Sequence, residues 1–235
     1  MFGGVSMIYT VIPFRQGSKR LKGKNMLNIS GIPLVRHTIQ QALLATDNII
    51  VTTDYPIPEL SKKIPELDNP NIMCHKRSPV PDNQTVNEYM NQLIAAYDIK
   101  EDDSICLLQP TCPCREPMDI RNAITMYSTL RGNCLVSVYK IGSAGKLYKS
   151  RDGKKGSSYT GLTATFNHEK PLYIRNSSIY IFKVRLLLTR STIFAEEALL
   201  YEMPLHRSID IDTKGEFDLA KLIIEGGLSG WSPHL

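Results

Sequence analysis

The chain has 235 residues, 42% of them apolar and 22% charged, with a net charge of +5. That length suits one good-sized α/β domain or two small ones, in the composition range of soluble globular proteins. No apolar run is long enough to span a membrane, and the opening "MFGGVSMIYTVIP" lacks the basic region, apolar core and small-residue cleavage site of a signal peptide, so a cytoplasmic protein is expected, with residues 1–6 a loose extension and Met7 an alternative start.

The predicted elements alternate. "MIYTVIP" (7–13) reads as a buried strand, "PLVRHTIQQALLA" (33–45) as an amphipathic helix, "NIIVTTD" (48–54) and "NIMCHK" (71–76) as strands, and "TVNEYMNQLIAAY" (85–97) as a helix. There follow a strand at 103–110, a helix at 116–130 and a strand at 133–141. Residues 142–171 are too rich in Gly, Ser and Lys to form a core, and a loop of that length is usually functional or mobile. Regular structure resumes with strands at 172–184 and 204–212 and a closing helix at 214–227. The alternation predicts an α/β, Rossmann-like fold: one domain with a mostly parallel sheet, helices on both faces, and ligands at the carboxyl ends of the strands.

Five cysteines, Cys74, Cys106, Cys112, Cys114 and Cys134, lack paired C-x2-C spacing and read as reduced thiols. The basic residues are more informative. The first acidic residue is Asp47; before it stand Arg15, Lys19, Arg20, Lys22, Lys24 and Arg36, five of them within ten residues. A nucleic-acid surface would spread its cations over a wider face; one dense loop suits a small, highly charged ligand. The loop, "IPFRQGSKRLKGKN" (12–25), is not a Walker A sequence, because five residues separate Gly17 from Gly23 and Asn25 stands where a magnesium-binding Ser or Thr is needed. Glycines at 17 and 23 would let backbone amides approach an anion.

A second motif, "SIDIDT" (208–213), places Asp210 and Asp212 two residues apart, on one side of an extended chain with Ile209 and Ile211 on the other. Adjacent carboxylates repel unless a cation lies between them, and Mg2+ takes such oxygens together with substrate phosphates. Read alone, the pair favours a cation only slightly over a set of exposed edge-strand aspartates. Together with the basic loop it points to a triphosphate and a metal, hence to phosphoryl or nucleotidyl transfer.

Four stretches in order resemble the cytidylyltransferases that activate acidic nine- and eight-carbon sugars, with the CMP-N-acylneuraminate (CMP-sialic acid) synthetase family as the best match. "IPFRQGSKRLKGKN" is similar to its N-terminal signature, "LLQPTCPCR" (107–115) to its Leu-Leu-Gln-Pro-Thr-Ser-Pro-Leu-Arg stretch, "RNSSIYIF" (175–182) to its Asn-Gly-Ala-Ile-Tyr-Ile strand, and "SIDIDTKGEFDLA" (208–220) to its metal motif. CMP-Kdo synthetases fit less well, since their loop has Pro at the place of Asn25. The resemblance implies that CTP and a 2-keto sugar acid give a CMP-sugar and pyrophosphate. It implies Arg15 and Lys24 on the phosphates, helped by amides of Gln16, Gly17 and Ser18; Asn25 and Arg77 on cytidine; Gln109 at the bond-forming centre; and Asp210 and Asp212 on Mg2+. Each has a plain alternative: Gln109 as a strand end, Arg77 as a surface residue, Asn25 as a turn cap. It further implies a homodimer, with an inserted arm at about 140–175 that completes the partner's sugar pocket.

The departures cluster where the sugar would be recognised. "KIGSAGKLYKSRDG" lacks the family's His-Pro segment, Ser177 and Ser178 replace Gly-Ala, and Arg175 directly precedes Asn176. A cation is still needed for the sugar carboxylate, with Lys146 and Arg175 as candidates. Other readings are a nucleotidyltransferase for Kdo, legionaminic or pseudaminic acid or for another NTP, and a non-catalytic anion-binding module.

Overall fold

The computed structural model describes residues 6–18, 20–77, 86–141, 148–150, 156–158, 172–195 and 197–233. β1 (Ile8–Phe14) runs straight into the basic loop. β2 (Asn28–Ile29) and β3 (Ile32–Pro33) form a small hairpin whose two turn residues, Ser30 and Gly31, both have positive φ, the geometry that two-residue hairpins favour. α1 (Leu34–Leu43), β4 (Ile49–Thr53), α2 (Ile57–Ser61), β5 (Ile72–Lys76), α3 (Val86–Ala96), β6 (Ser104–Leu108), α4 (Pro117–Thr129) and β7 (Cys134–Ile141) follow in alternation. Two short paired segments, β8 (Tyr148–Ser150) and β9 (Gly156–Ser158), precede β10 (Leu172–Lys183), α5 (Val184–Arg190), β11 (Leu199–Glu202) and α6 (Lys214–Glu225).

Seven strands make one sheet in the order β11-β7-β10-β6-β1-β4-β5. All run parallel except β10, which is antiparallel to both neighbours. Successive residues of the central strands feed opposite cores, as a sheet covered on both faces requires. Ile12, Ile49, Val51, Cys106 and Leu108 pack beneath α1 and α4, while Val11, Ile50, Ile105 and Leu107 pack beneath α3 and α5. Each fully buried Ile or Leu stabilises the fold by roughly 1.5–3 kcal/mol. A third cluster seats Phe217, Ala220, Ile223 and Ile224 of α6 on Ile29, Leu34, Cys114 and Ile211. Its helix starts where Thr213 and Glu216 cap each other, Oγ1 accepting from the Glu216 amide at 3.3 Å and Oε2 from the Thr213 amide at 2.7 Å.

The expected mostly parallel Rossmann-like sheet is present. Residues 204–212, expected as a strand, are not one. The last ladder bond goes from the Met203 amide to the Val138 carbonyl, and Pro204 has no N–H to continue it. The strand lies earlier, as β11, and a 3-10 turn spans Leu205–Arg207. Residues 208–212 run alongside the sheet, held by the Ile211 amide on the Thr111 carbonyl at 2.8 Å, so Ile211 is buried while Asp210 and Asp212 stay partly exposed, as an extended chain would place them. α2, α5 and the β2–β3 hairpin were not expected; α5 is a seven-residue helix placed by packing of Val184, Leu186 and Leu187 rather than by a long periodic pattern.

The chain passes from β1 to one side and returns at β6 on the other. The crevice outside the carboxyl ends of β1 and β6 is therefore the switch point, where ligands bind in open α/β sheets.

Candidate active site

Two cavities open at that crevice, each of about 340 Å³. The first is lined by Phe14, Arg15, Ser18, Lys24, Asn25 and Arg77, with Val86, Tyr89 and Gln109 opposite. It collects the basic loop, the end of β5 and the end of β6 into one cleft. The loop is folded back by a 3-10 turn at Lys24–Met26, entered through Gly23 at φ +65°. A side chain there would be strained, so Gly23 has a conformational reason to be glycine. Gly17 lacks a positive φ and meets nothing where a Cβ would stand, so the geometry does not demand glycine at that position. Asn25 is buried and donates from Nδ2 to the Arg15 carbonyl at 3.1 Å, tying the two ends of the loop. The Gln16 amide is held by Asp54 at 2.9 Å.

Arg77 is buried rather than a surface residue. It donates from Nη2 to the Phe14 carbonyl at 2.9 Å and lies 5.1 Å from the Tyr89 ring centre. Burial lowers its pKa, and burial raises that of the Tyr89 hydroxyl. Its Nε meets no acceptor among the described residues, leaving one donor of a buried cation to be satisfied.

Lys24 reaches the far end of the chain. Its Nζ donates to the Ile211 carbonyl and to Asp212 Oδ1 at 3.0 Å, and Arg20 pairs with the other oxygen of the same carboxylate. Arg20 thereby neutralises Asp212. Asp212 is positioned by its own helix cap, since Glu216 Oε2 accepts from the Asp212 amide at 2.8 Å. That hydrogen bond is the main reason the Glu216 carboxyl is held below the usual range. Asp210 lies close enough to Cys112 and Tyr180 to help raise both, behind the larger effect of burial.

The second cavity is lined by Arg175, Ser177, Tyr180, Ile193, Phe194 and Asn87, and it shares Val86 and Gln109 with the first. Gln109 thus stands where the two meet. The pocket exists because β10 is bulged: it advances from Arg175 to Tyr180 while β7 passes only from Val138 to Val136. Extra residues re-aim side chains. Asn176 and Ser178 turn inward and are buried, while Arg175 and Ser177 face the cavity, Ser177 at φ +60°. The Arg175 guanidinium lies 4.4 Å from the Phe194 ring centre and 5.8 Å from that of Tyr180. Asn176 anchors the bulge from behind, accepting from Ser137 Oγ at 2.5 Å and donating to Ser208 Oγ at 2.8 Å.

Of the residues expected to form the site, Arg15, Ser18, Lys24, Asn25, Arg77 and Gln109 line the first cavity, Arg175 the second, and Asp212 joins the first through Lys24. Lys146 lies outside the described residues. Tyr89, Tyr180 and Phe194 were not anticipated. Their positions in α3, in β10 and just after α5 follow ordinary apolar patterns, and only the fold turns them toward the crevice. All five cysteines are free thiols, and Cys106, at the centre of the sheet, is pushed up to about 12 by burial. His37 is buried between the Trp231 indole and the Ile29 carbonyl, where desolvation lowers it to about 4, so it packs rather than reacts. Among the described residues no helix is long and apolar enough to cross a membrane.

A sequence profile of the cytidylyltransferase family matches residues 9–225. N-acylneuraminate cytidylyltransferase of Escherichia coli O18:K1:H7 is 30% identical over 218 residues, covering 91% of this chain and 51% of that protein. CMP-N,N'-diacetyllegionaminic acid synthase of Legionella pneumophila is 31% identical over 236 residues, covering 93% of this chain and 96% of that protein. The chain spans about half the length of the first relative and nearly all of the second. Among solved structures, a CMP:2-keto-3-deoxy-manno-octonic acid synthetase complexed with CTP aligns over 93% of this chain and 98% of its own with a TM-score of 0.67 at 18% identity, a likeness of fold.

Proposed function

The chain belongs to the cytidylyltransferase family, and on that premise we propose that it joins CTP to a 2-keto-3-deoxy sugar acid of the sialic acid type, releasing pyrophosphate. The observation that carries this reading is the pair of cavities meeting at Gln109, a cationic one on the loop side and an aromatic one that holds Arg175 on the β10 side.

CTP occupies the first cavity. Arg15 and Lys24 take the phosphates, with amides of residues 16–18 beside them, and Asn25 and Arg77 border the nucleoside. The acid occupies the second cavity, its carboxylate on Arg175 and its ring edge against Tyr180 and Phe194. Its hydroxyl oxygen attacks the α-phosphorus, the bond from that phosphorus to the α–β bridging oxygen breaks with its electron pair staying on the departing pyrophosphate, and the hydroxyl proton passes to solvent. Gln109, touching both cavities, orients the attacking group. Arg15 and Lys24 stabilise the charge that grows on the leaving group, an electrostatic contribution that is large in a partly desolvated cleft.

The donor set fits Mg2+. Asp210 and Asp212 are oxygen ligands on an extended segment beside the phosphate loop, and Lys24 and Arg20 already place positive charge where a cation would neutralise Asp212. When bound, the ion would supply charge neutralisation at the phosphates. Lys24 and Arg20 pair with the Asp212 carboxylate, and a bound triphosphate would compete for both. The homodimer, the dimerisation arm at about 140–175 and a cytoplasmic setting belong to the same proposal; five thiols suit a reducing compartment.

The test is to incubate the protein with CTP, Mg2+ and a panel of sialic, legionaminic, pseudaminic and Kdo-type acids and to measure pyrophosphate. Release with CTP and at least one acid, abolished by EDTA, is expected. No release with any acid overturns the proposal, and release only with GTP, UTP or ATP replaces CTP with another nucleotide.

A further inference from the structure

Among the described residues Arg115 is the largest fully buried side chain, at 0% exposure, yet no carboxylate there pairs with its guanidinium. Every acceptor it has is neutral. Nη1 donates to the Ser178 carbonyl at 2.9 Å and, at 3.4 Å, to the Ser178 hydroxyl; Nη2 donates to Thr38 Oγ1 at 2.6 Å and to the Gln109 carbonyl at 3.1 Å; Nε has no partner among the described residues. The buried Asp119 carboxylate helps keep it charged without pairing with it, but burying a cation whose hydrogen-bond partners are all neutral is expensive, and such a group persists where its hydrogen bonds do something an apolar side chain cannot.

What those bonds join is specific. The Gln109 carbonyl belongs to the residue at the junction of the two cavities. Ser178 lies in the β10 bulge, next to Ser177, which faces the second cavity. The loop between Gln109 and Arg115 also carries Thr111, whose carbonyl holds the Ile211 amide at 2.8 Å, the residue between Asp210 and Asp212. The same loop is braced from outside. Gln41 Nε2 donates to the Pro113 and Arg115 carbonyls, at 2.7 and 2.8 Å, and the Cys112 thiol donates to the Asn176 carbonyl. One guanidinium therefore meets the end of β6, the bulge of β10 and α1, and the loop that it closes carries Thr111, which holds the extended segment before α6.

We infer that Arg115 is a positioning residue that sets Gln109, the β10 bulge and the Asp210–Asp212 segment in register with one another. It touches neither cavity; it acts directly through Gln109 and Ser178, and on the Asp210–Asp212 segment only through the loop that carries Thr111. A lysine has the charge but not the planar fork, so it cannot serve Ser178, Thr38 and Gln109 together. The residues that grip the nucleotide stand on the β1 loop and at the end of β5, outside this junction. Loss of Arg115 should therefore spoil the alignment of acid and nucleotide more than the binding of nucleotide, and misplacement by about 1 Å lowers turnover by roughly 100-fold.

The inference rests on the proposed reaction, so the test has one arm independent of turnover. Arg115→Lys and Arg115→Met are compared with wild type by steady-state kinetics and by hydrogen–deuterium exchange. Arg115→Lys is expected to lower kcat roughly 10- to 100-fold with the KM for CTP within about threefold. Amides around 109–112 and at Ile211 should exchange at least about tenfold faster while those of β1 and β4 are unchanged. Unchanged kcat, or unchanged exchange at 109–112 and 211, overturns the inference; so does loss of kcat and CTP affinity in equal proportion. If Arg115→Met does not fold, Arg115→Lys decides. If wild type turns over no acid, the proposed reaction falls and the exchange result still decides the role of Arg115.

Discussion

The two cavities are similar in volume and share a wall, yet they are built from different materials. The loop-side cavity is a charge device. Most of its cations come from one loop, with Arg77 added from the end of β5, and two of the loop's lysine and arginine side chains are occupied by Asp212, a carboxylate almost two hundred residues away in sequence. The β10-side cavity is a shape device. One guanidinium lies against two aromatic rings, on a strand distorted so that Arg175 and Ser177 face the same way. Under the proposed reaction the first would recognise a polyanion of large charge, and the second would hold a small, weakly charged ring in one orientation, which favours rigid aromatic walls. The contrast implies that charge changes will act on the nucleotide side and contact changes on the acid side, and that each cavity can be damaged alone.

The largest effect is expected at Asp212. Asp212→Asn should lower pyrophosphate release by at least roughly 100- to 1,000-fold, the scale seen when one preorganised electrostatic contact to a transition state is lost. The same change releases Lys24 and Arg20 from their carboxylate. Binding of CTP without divalent cation, measured by calorimetry, should then be unchanged or tighter. A fall in affinity that parallels the fall in turnover would show that the loop-side cavity does not work as a charge device.

On the other side, Arg175→Ala should raise the KM for the acid about 10- to 100-fold, the size of a charge-assisted hydrogen bond. The KM for CTP should stay within about threefold, because Arg175 lines only the second cavity. Equal damage to both substrates would mean that the cavities are one site.

Sequence reading reached these cavities unevenly, for the same reason. The nucleotide side is encoded locally: Arg15 to Asn25 is contiguous, β1 is a plain apolar run, and "SIDIDT" keeps its alternation even though Pro204 prevents it from joining the sheet. Arg77 was legible as a residue type but not as a buried one, since its burial depends on Tyr89 from another helix. The acid side is encoded by tertiary structure. A bulge in β10 leaves no mark in a strand pattern, and Tyr180 and Phe194 read as core residues until α5 and the bulge turn them to the crevice. Arg115 is the extreme case, visible as the last residue of "LLQPTCPCR" but with a role set by partners from α1 and β10.

The smallest expected effect separates shape from strain inside the acid cavity. Ser177 sits at φ +60°, a conformation that favours glycine over any residue with a Cβ. Ser177→Gly removes that strain, worth about 1 kcal/mol, but it also removes a hydroxyl that stands near enough to Tyr180 to lower its pKa against the larger effect of burial. The two terms are of similar size and opposite sign, so the thermal midpoint should move by only a few degrees. If the hydroxyl matters mainly by fixing the Tyr180 ring, the KM for the acid should rise a few-fold with CTP unaffected, and Tyr180→Phe should do the same without changing backbone strain. A Ser177→Gly protein that binds the acid as tightly as wild type would assign the pocket's shape to the bulge alone, with the Ser177–Tyr180 contact playing no part in holding the ring.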